Sequence, residues 1–110
     1  VDALAELWTH LEEFDVGFCF DTCHAHAAGE DLVDVVKRTF DATGRIDVLH
    51  ANDSRDPPGT GADRHANFDK GMMDNDVVLE MIRSAEAPVV ICETPWPGIS
   101  EDMAWLRRNL

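Results

Sequence analysis

Val16-Gly17-Phe18-Cys19-Phe20-Asp21-Thr22-Cys23-His24 is the stretch on which the fold turns. Residues 16–20 are a short apolar run and read as a buried strand. The run stops at a carboxylate, and an imidazole follows three residues later. Such a pair suits a metal ion in a cleft at a strand end. Two later apolar runs repeat the arrangement. Residues 46–49 stop at His50, and residues 89–92 stop at Glu93.

Helical patterns separate these strands. Leu4, Leu7, Trp8 and Leu11 recur at helical spacing, so roughly the first thirteen residues read as a helix. Residues 22–30 read as a loop rich in Ala, His and Gly. Asp31 is placed to cap a second helix with Leu32, Val35, Val36 and Phe40 on one face, and Gly44 is placed to stop it. Residues 53–71, with Pro57-Pro58-Gly59 and Gly61, read as a long polar loop, which in a compact domain is usually functional or disordered. Residues 76–86 predict a third helix that buries Val78, Met81, Ile82 and Ala85. Pro95 and Pro97 forbid regular continuation of the third strand. Ser100 then caps a last helix through about Arg108. The order α-β-α-β-α-β-α implies an α/β fold with a parallel sheet and right-handed crossovers. The strands are nearly all apolar, as expected where both faces are covered.

The 110 residues suffice for one modest domain, and a hydrophobic content of 45% argues against disorder. No apolar run is long enough to span a bilayer, so no membrane association is expected. The first residues lack the basic start and apolar core of a signal peptide, which predicts a cytoplasmic protein. Three irregularly spaced cysteines do not make a disulfide framework. The chain begins at Val1, inside a helical pattern, and reads as a fragment or a processed chain. Its 22 acidic and 9 basic residues give a net charge of −13, which argues against a generic nucleic-acid binder. Bound divalent cations would cancel several of those charges where it matters.

In parallel α/β architectures, ligands bind at the carboxyl ends of strands. Any one of Asp21, His50 and Glu93 reads equally well as a capping or salt-bridged residue. All three at one end of one sheet point to a metal. Asp63-Arg64-His65 adds an Asp-x-His pair, with His24 a natural third ligand. Taken alone, that loop is an ordinary solvated charged segment. Mixed imidazole and carboxylate donors suit Zn²⁺, with Mn²⁺ or Fe²⁺ as alternatives. Six candidate ligands exceed the needs of one tetrahedral ion. A site with more than one metal follows, and such sites commonly serve phosphoester hydrolysis.

Cys19, Cys23 and Cys92 lack zinc-ribbon spacing and read as buried structural thiols. His10 reads as a surface or boundary residue. His26 lies near the cleft, where a loop histidine of no special role is an equal reading. Trp8 and Trp105 read as helix packing. Trp96 either lines the cleft or packs, and Arg64 either meets a phosphate or neutralises Asp63.

Asp21-Thr22-Cys23-His24 with Ala25-His26-Ala27-Ala28-Gly29, then His50-Ala51-Asn52-Asp53-Ser54, Asp63-Arg64-His65 and Glu93-Thr94-Pro95, in that order, resemble endonuclease IV. This is the zinc-dependent apurinic/apyrimidinic endonuclease family with a TIM (β/α)8-barrel fold. The resemblance implies a site for three Zn²⁺ in the complete enzyme, acting on double-stranded DNA with abasic sites. It implies DNA repair by hydrolysis of the phosphodiester 5′ to the lesion, leaving a 3′-hydroxyl, and a monomer when full length. Asp21, His50 and Glu93 would contribute to one zinc, and His24, Asp63 and His65 would hold another. Glu93 would also orient or deprotonate the attacking hydroxide, and Asn52 and Ser54 would lie near the DNA.

Two departures stand out. Ala66-Asn67-Phe68-Asp69-Lys70-Gly71 replaces the family's glycine-rich continuation after Asp-Arg-His. The family's remaining ligands, two histidines and a bridging glutamate, come from earlier strands and have no match here. Residues 1–110 therefore read as the C-terminal part of a xylose-isomerase-like TIM barrel domain, about three parallel βα units with the upstream strands absent. Two other readings compete: a sugar isomerase or epimerase on a related metal-binding barrel, and an inactive fragment that only binds metal. Three parallel strands cannot close a barrel, and the cut exposes strand edges and a core face. The isolated chain is expected to be aggregation-prone or partly molten and to bind hydrophobic dyes. A cooperative thermal transition in a dye-free monomer would contradict this.

Overall fold

A computed structural model describes residues 1–110. Its elements are α1 (Asp2–Leu11), β1 (Cys19–Asp21), α2 (Thr22–Ala27), α3 (Val35–Thr43), β2 (Val48–Ala51), β3 (Asp53–Ser54), β4 (His65–Ala66), α4 (Asn75–Ala85), β5 (Val89–Cys92) and α5 (Ile99–Asn109). β1, β2 and β5 form a parallel sheet in that order, and β3 and β4 form a small antiparallel pair. No helix is long and apolar enough to cross a membrane.

The alternation of strands and helices is as expected, but several boundaries move for identifiable reasons. β1 starts at Cys19 because Phe18 is engaged differently. Its N–H donates to Asp47 Oδ2 at 2.8 Å, and its carbonyl accepts from the Asp47 N–H at 2.9 Å. Arg45 and the Phe18 N–H together hold the Asp47 carboxyl down to about 2. β2 lies two residues later than expected and takes in His50. Residues 22–27 are helical rather than a loop, because Asp21 is an N-cap whose Oδ1 accepts from the His24 N–H at 3.0 Å. α3 begins at Val35, not after Asp31. The Asp31 carboxylate instead accepts from the Val33 N–H in the preceding turn. Gly44, at φ 72°, ends α3 as expected. α5 is capped by Gly98, with Ser100 already inside its first turn.

The apolar core lies between the sheet and the helices. Phe20, Leu49 and Ala51 face α3 and α4, whose Val35, Val36, Val78, Met81, Ile82 and Ala85 are all buried. The inward face of α3 includes Thr39 rather than Phe40, which is left exposed. Trp8 packs edge-on to Phe18, and Trp105 packs on Phe68, so both serve packing as expected. The expectation of strands covered on both faces is not met. Cys19, Val89 and Ile91 are exposed, because helices cover one face of the sheet only.

The 53–71 segment is not structureless. Asp53, completely buried, organises the return from β4 into α4. Its carboxylate accepts from the N–H groups of Ser54 and Met73 and from Asn75 Nδ2, at 2.7, 3.0 and 2.9 Å. Gly71 lies against it. A Cβ there would sit 2.2 Å from Asp53 Oδ1 and 2.5 Å from the Ser54 carbonyl oxygen. Overpacking of this kind costs about 1–3 kcal/mol. Gly71→Ala should lower the urea midpoint accordingly, and an unchanged midpoint would show that the 71–75 turn yields freely.

Candidate metal centre

Parallel register brings the first three candidate ligands together. Asp21 is paired with His50, and His50 with Ile91. Side chains of paired residues project to the same face. Glu93 stands two residues beyond Ile91 and so returns to that face. Its N–H donates to the Ala51 carbonyl at 2.9 Å, extending the β2–β5 ladder by one step. His50 Nδ1 therefore lies 3.0 Å from Glu93 Oε2 and 3.6 Å from Asp21 Oδ2.

The β3–β4 pair delivers two of the other three, and α2 supplies His24. The pair folds Asp63 and His65 back over the end of β1. Asp63 Oδ2 is 2.9 Å from His24 Nε2, and its Oδ1 is 3.1 Å from His65 Nε2, so one carboxylate spans two imidazoles. Asp21 belongs to both groups. It has ligand atoms within 4.8 Å of those of His50 and Glu93, and also of those of His24 and His65. Five of the six candidate ligands thus fall into two adjoining groups that meet at Asp21, and Asp63 joins His24 and His65 through its two carboxylate oxygens. The sequence pattern pairs Asp21 with His50 and Glu93 alone. Its place in the second group follows from its position at both a strand end and a helix start.

Cys23 also lies within 4.8 Å of Asp63 and His65 ligand atoms. It is completely buried, and burial raises its thiol pKa, which disfavours the thiolate a metal needs. Cys92 is partly buried, and Cys19 is exposed on the open face of the sheet rather than buried. His10 is exposed, as expected.

Asn52 and Ser54, expected near DNA, are completely buried and present no surface to a substrate. Ser54 Oγ accepts from the Asp56 N–H at 3.2 Å. Both side chains stabilise the loops under the site instead. His26 is buried in α2 and not in a loop, and its Nε2 meets the Asp56 carbonyl at 2.8 Å. Arg64 pairs with Asp56, not with Asp63. Its Nε lies 3.0 Å from Asp56 Oδ2, and this pairing holds the Asp56 carboxyl below its usual range. Arg64 remains largely exposed beside a cleft of about 450 Å³, lined also by Arg55, Asp63, His65, Glu93, Thr94 and Pro95. Trp96 is 81% exposed and does not pack.

Sequence reasoning missed the clamp behind Glu93. Buried Asp102 of α5 accepts from Thr94 Oγ at 2.6 Å and from Asn67 Nδ2 at 2.7 Å. Asn67 Nδ2 also donates to the Pro95 carbonyl at 2.9 Å. The segment after Glu93 is thereby tied to α5 and to the loop after β4. An acid in the first turn of a helix favours the helix dipole anyway, so Asp102 carried no distinguishing signal. Arg55, beside the His50–Ser54 stretch, was equally silent.

A parallel sheet with imidazoles and carboxylates at the carboxyl ends of its strands defines an α/β protein with a strand-end site. The chain belongs to the xylose isomerase-like TIM barrel family, whose family model matches residues 1–109. Probable endonuclease 4 of Mycobacterium ulcerans is 50% identical over 109 residues, which cover 99% of this chain and 43% of that protein. Probable endonuclease 4 of Mycobacterium leprae is 50% identical over 108 residues, covering 98% and 42%. Among solved structures, endonuclease IV from Thermus thermophilus superposes with a TM-score of 0.76 at 28% identity, covering 96% of this chain and 42% of that one. The resemblance read from the four motifs and the reading as part of a TIM barrel are both borne out. The chain spans about two-fifths of the length of these relatives.

His24 carries the clearest electrostatic signature of the site. Burial opposes its charged form, but the hydrogen bond to Asp63 and the charges of Asp21, Asp63 and Glu93 outweigh this and raise its pKa above 6.5. Asp63 is depressed in turn, chiefly by the bond to His24. Stability from protonated His24 is fully present below pH 6.5 and is lost as pH rises through the raised folded value. In the metal-free protein, an NMR titration should find the His24 midpoint raised and should find it lowered by Asp63→Asn. An unmoved midpoint would contradict the pairing.

Proposed function

We propose that residues 1–110 are the C-terminal part of a longer barrel that repairs DNA. The complete protein hydrolyses the phosphodiester 5′ to an abasic site in double-stranded DNA and leaves a 3′-hydroxyl. It works as a cytoplasmic monomer. One observation carries this reading: six ligand-type side chains from three strand ends, α2 and one hairpin gather at one end of the sheet, with Asp21 common to two groups and Asp63 bridging His24 and His65. Identity of 50% to proteins named probable endonuclease 4 supports the DNA substrate.

The donor set fits zinc, with imidazole nitrogens and carboxylate oxygens in each group. Mn²⁺ is the alternative. Asp21, His50 and Glu93 would hold one ion and His24, Asp63 and His65 another, and the rest of the barrel would share in holding a third. Zinc held there supplies positive charge that polarises a phosphodiester and acidifies water. Glu93, half-exposed at the cleft and beside His50 Nδ1, is placed to take the proton from the attacking water. The clamp through Thr94 and Asp102 fixes the backbone beside Glu93. Arg55 and Arg64 line the same cleft and offer cations to phosphate within a chain whose net charge is −13.

Cleavage of a duplex carrying one abasic site tests this in the full-length protein. Exhaustive chelation should abolish cleavage, and added zinc should restore it. Glu93→Gln should slow cleavage by about 100-fold or more. Activity that survives complete metal removal rejects the proposal. Turnover of a free sugar without DNA cleavage would transfer the site to isomerase chemistry.

A further inference from the structure

Asn52 sits beneath the point where the two ligand groups meet, and its hydrogen bonds can be fully accounted for. It is 0% exposed, so nothing outside the protein reaches it. Its Oδ1 lies 2.8 Å from the Cys23 backbone nitrogen. A backbone N–H can only donate, so the atom facing it must be the amide oxygen. That settles an orientation which side-chain shape alone leaves open. The NH2 group is therefore forced to the other side, where Nδ2 lies 3.3 Å from Asp21 Oδ2 and 3.4 Å from His65 Nε2.

Thr22 locks this arrangement. Its hydroxyl lies 2.7 Å from both the Asn52 carbonyl oxygen and Oδ1, and it accepts from the Asn52 N–H at 3.1 Å. The start of α2 and the end of β2 are thus cross-linked through one buried amide. Asp21 receives one donor on each carboxylate oxygen: the His24 N–H on Oδ1 at 3.0 Å and Asn52 Nδ2 on Oδ2. The plane of the carboxylate is set, and each oxygen keeps a lone pair for a cation.

We propose that Asn52 is a positioning residue. Its amide donor holds the Asp21 carboxylate in the orientation that presents it to the ion it would share with His50 and Glu93, and its amide oxygen anchors that donor to the start of α2. The proposal deepens the metal-site reading and rests on it. Removal of an outer partner of a metal ligand typically costs about 10–100-fold in metal affinity.

Two variants of the full-length protein separate the donor from the anchor. Asn52→Leu keeps the volume and removes both functions. Asn52→Asp keeps the acceptor for the Cys23 N–H and replaces the donor to Asp21 with an oxygen. Titration of metal-free protein with Co²⁺ alone, followed by its visible absorption, should show affinity lowered by about tenfold or more in both variants. Amide hydrogen exchange in the metal-free proteins gives a second readout. The His24 amide should lose protection in both variants, whereas the Cys23 amide should lose it only in Asn52→Leu. Wild-type Co²⁺ affinity in a folded variant, or unchanged His24 protection, overturns the proposal. Equal loss of protection at His24 and Cys23 in Asn52→Asp also overturns it, because a merely structural role predicts that pattern. If the wild-type protein takes up no Co²⁺, the metal-site reading fails, and the exchange data still decide whether Asn52 positions Asp21.

Discussion

The in-register pairing of β1 with β2 is the constraint on which the rest of the site depends. It places Asp21 beside His50, and the same register carried across to β5 brings Glu93 to the same face two residues past Ile91. A slip of one residue would send each of these side chains to the opposite face. That face is occupied by Phe20, Leu49 and Ala51, all buried against the helices. The core therefore enforces the geometry of the site. A slipped register would drive a carboxylate into an apolar layer and lift a phenyl ring out of it, and both changes are costly.

Asp21 also shows how one residue can serve several levels of structure. It ends a strand, caps a helix and contributes to both ligand groups. Capping places one oxygen over the first turn of α2, and that turn presents His24 toward Asp63. The capping reading and the ligand reading of such an aspartate are compatible. The cap satisfies one lone pair and orients the carboxylate, which leaves the remaining lone pairs for a cation.

Much of the architecture was legible in the chain. The three apolar runs, the helical spacings and the strand-end residues sufficed for a parallel α/β order and for all six candidate ligands. The 53–71 segment was not legible, because β3 and β4 are two residues each and have no periodicity to detect. The exposure of β5 was hidden for a different reason. Val89, Val90 and Ile91 are apolar whether or not anything covers them. Asn52 and Ser54 were expected near the DNA only through the resemblance to endonuclease IV, and a motif match carries no record of burial. Their burial depends on partners contributed by Thr22, Cys23 and Asp56, which are remote in sequence or chemically unremarkable.

By itself the sequence determined which residue types stand at the strand ends, because apolar runs and their polar stops are local features. It also determined the family, since the order Asp-Thr-Cys-His, His-Ala-Asn-Asp-Ser, Asp-Arg-His and Glu-Thr-Pro survives without any knowledge of distance. Only the tertiary structure decided how those residues divide their work. Asp21 joins both ligand groups, Asn52 turns inward to hold it, Arg64 pairs with Asp56, and Asp102 braces the segment after Glu93. The physical reason is that hydrogen-bond donors and acceptors are short-ranged. Which ones meet is set by register and burial across tens of residues, and a linear pattern carries no record of that.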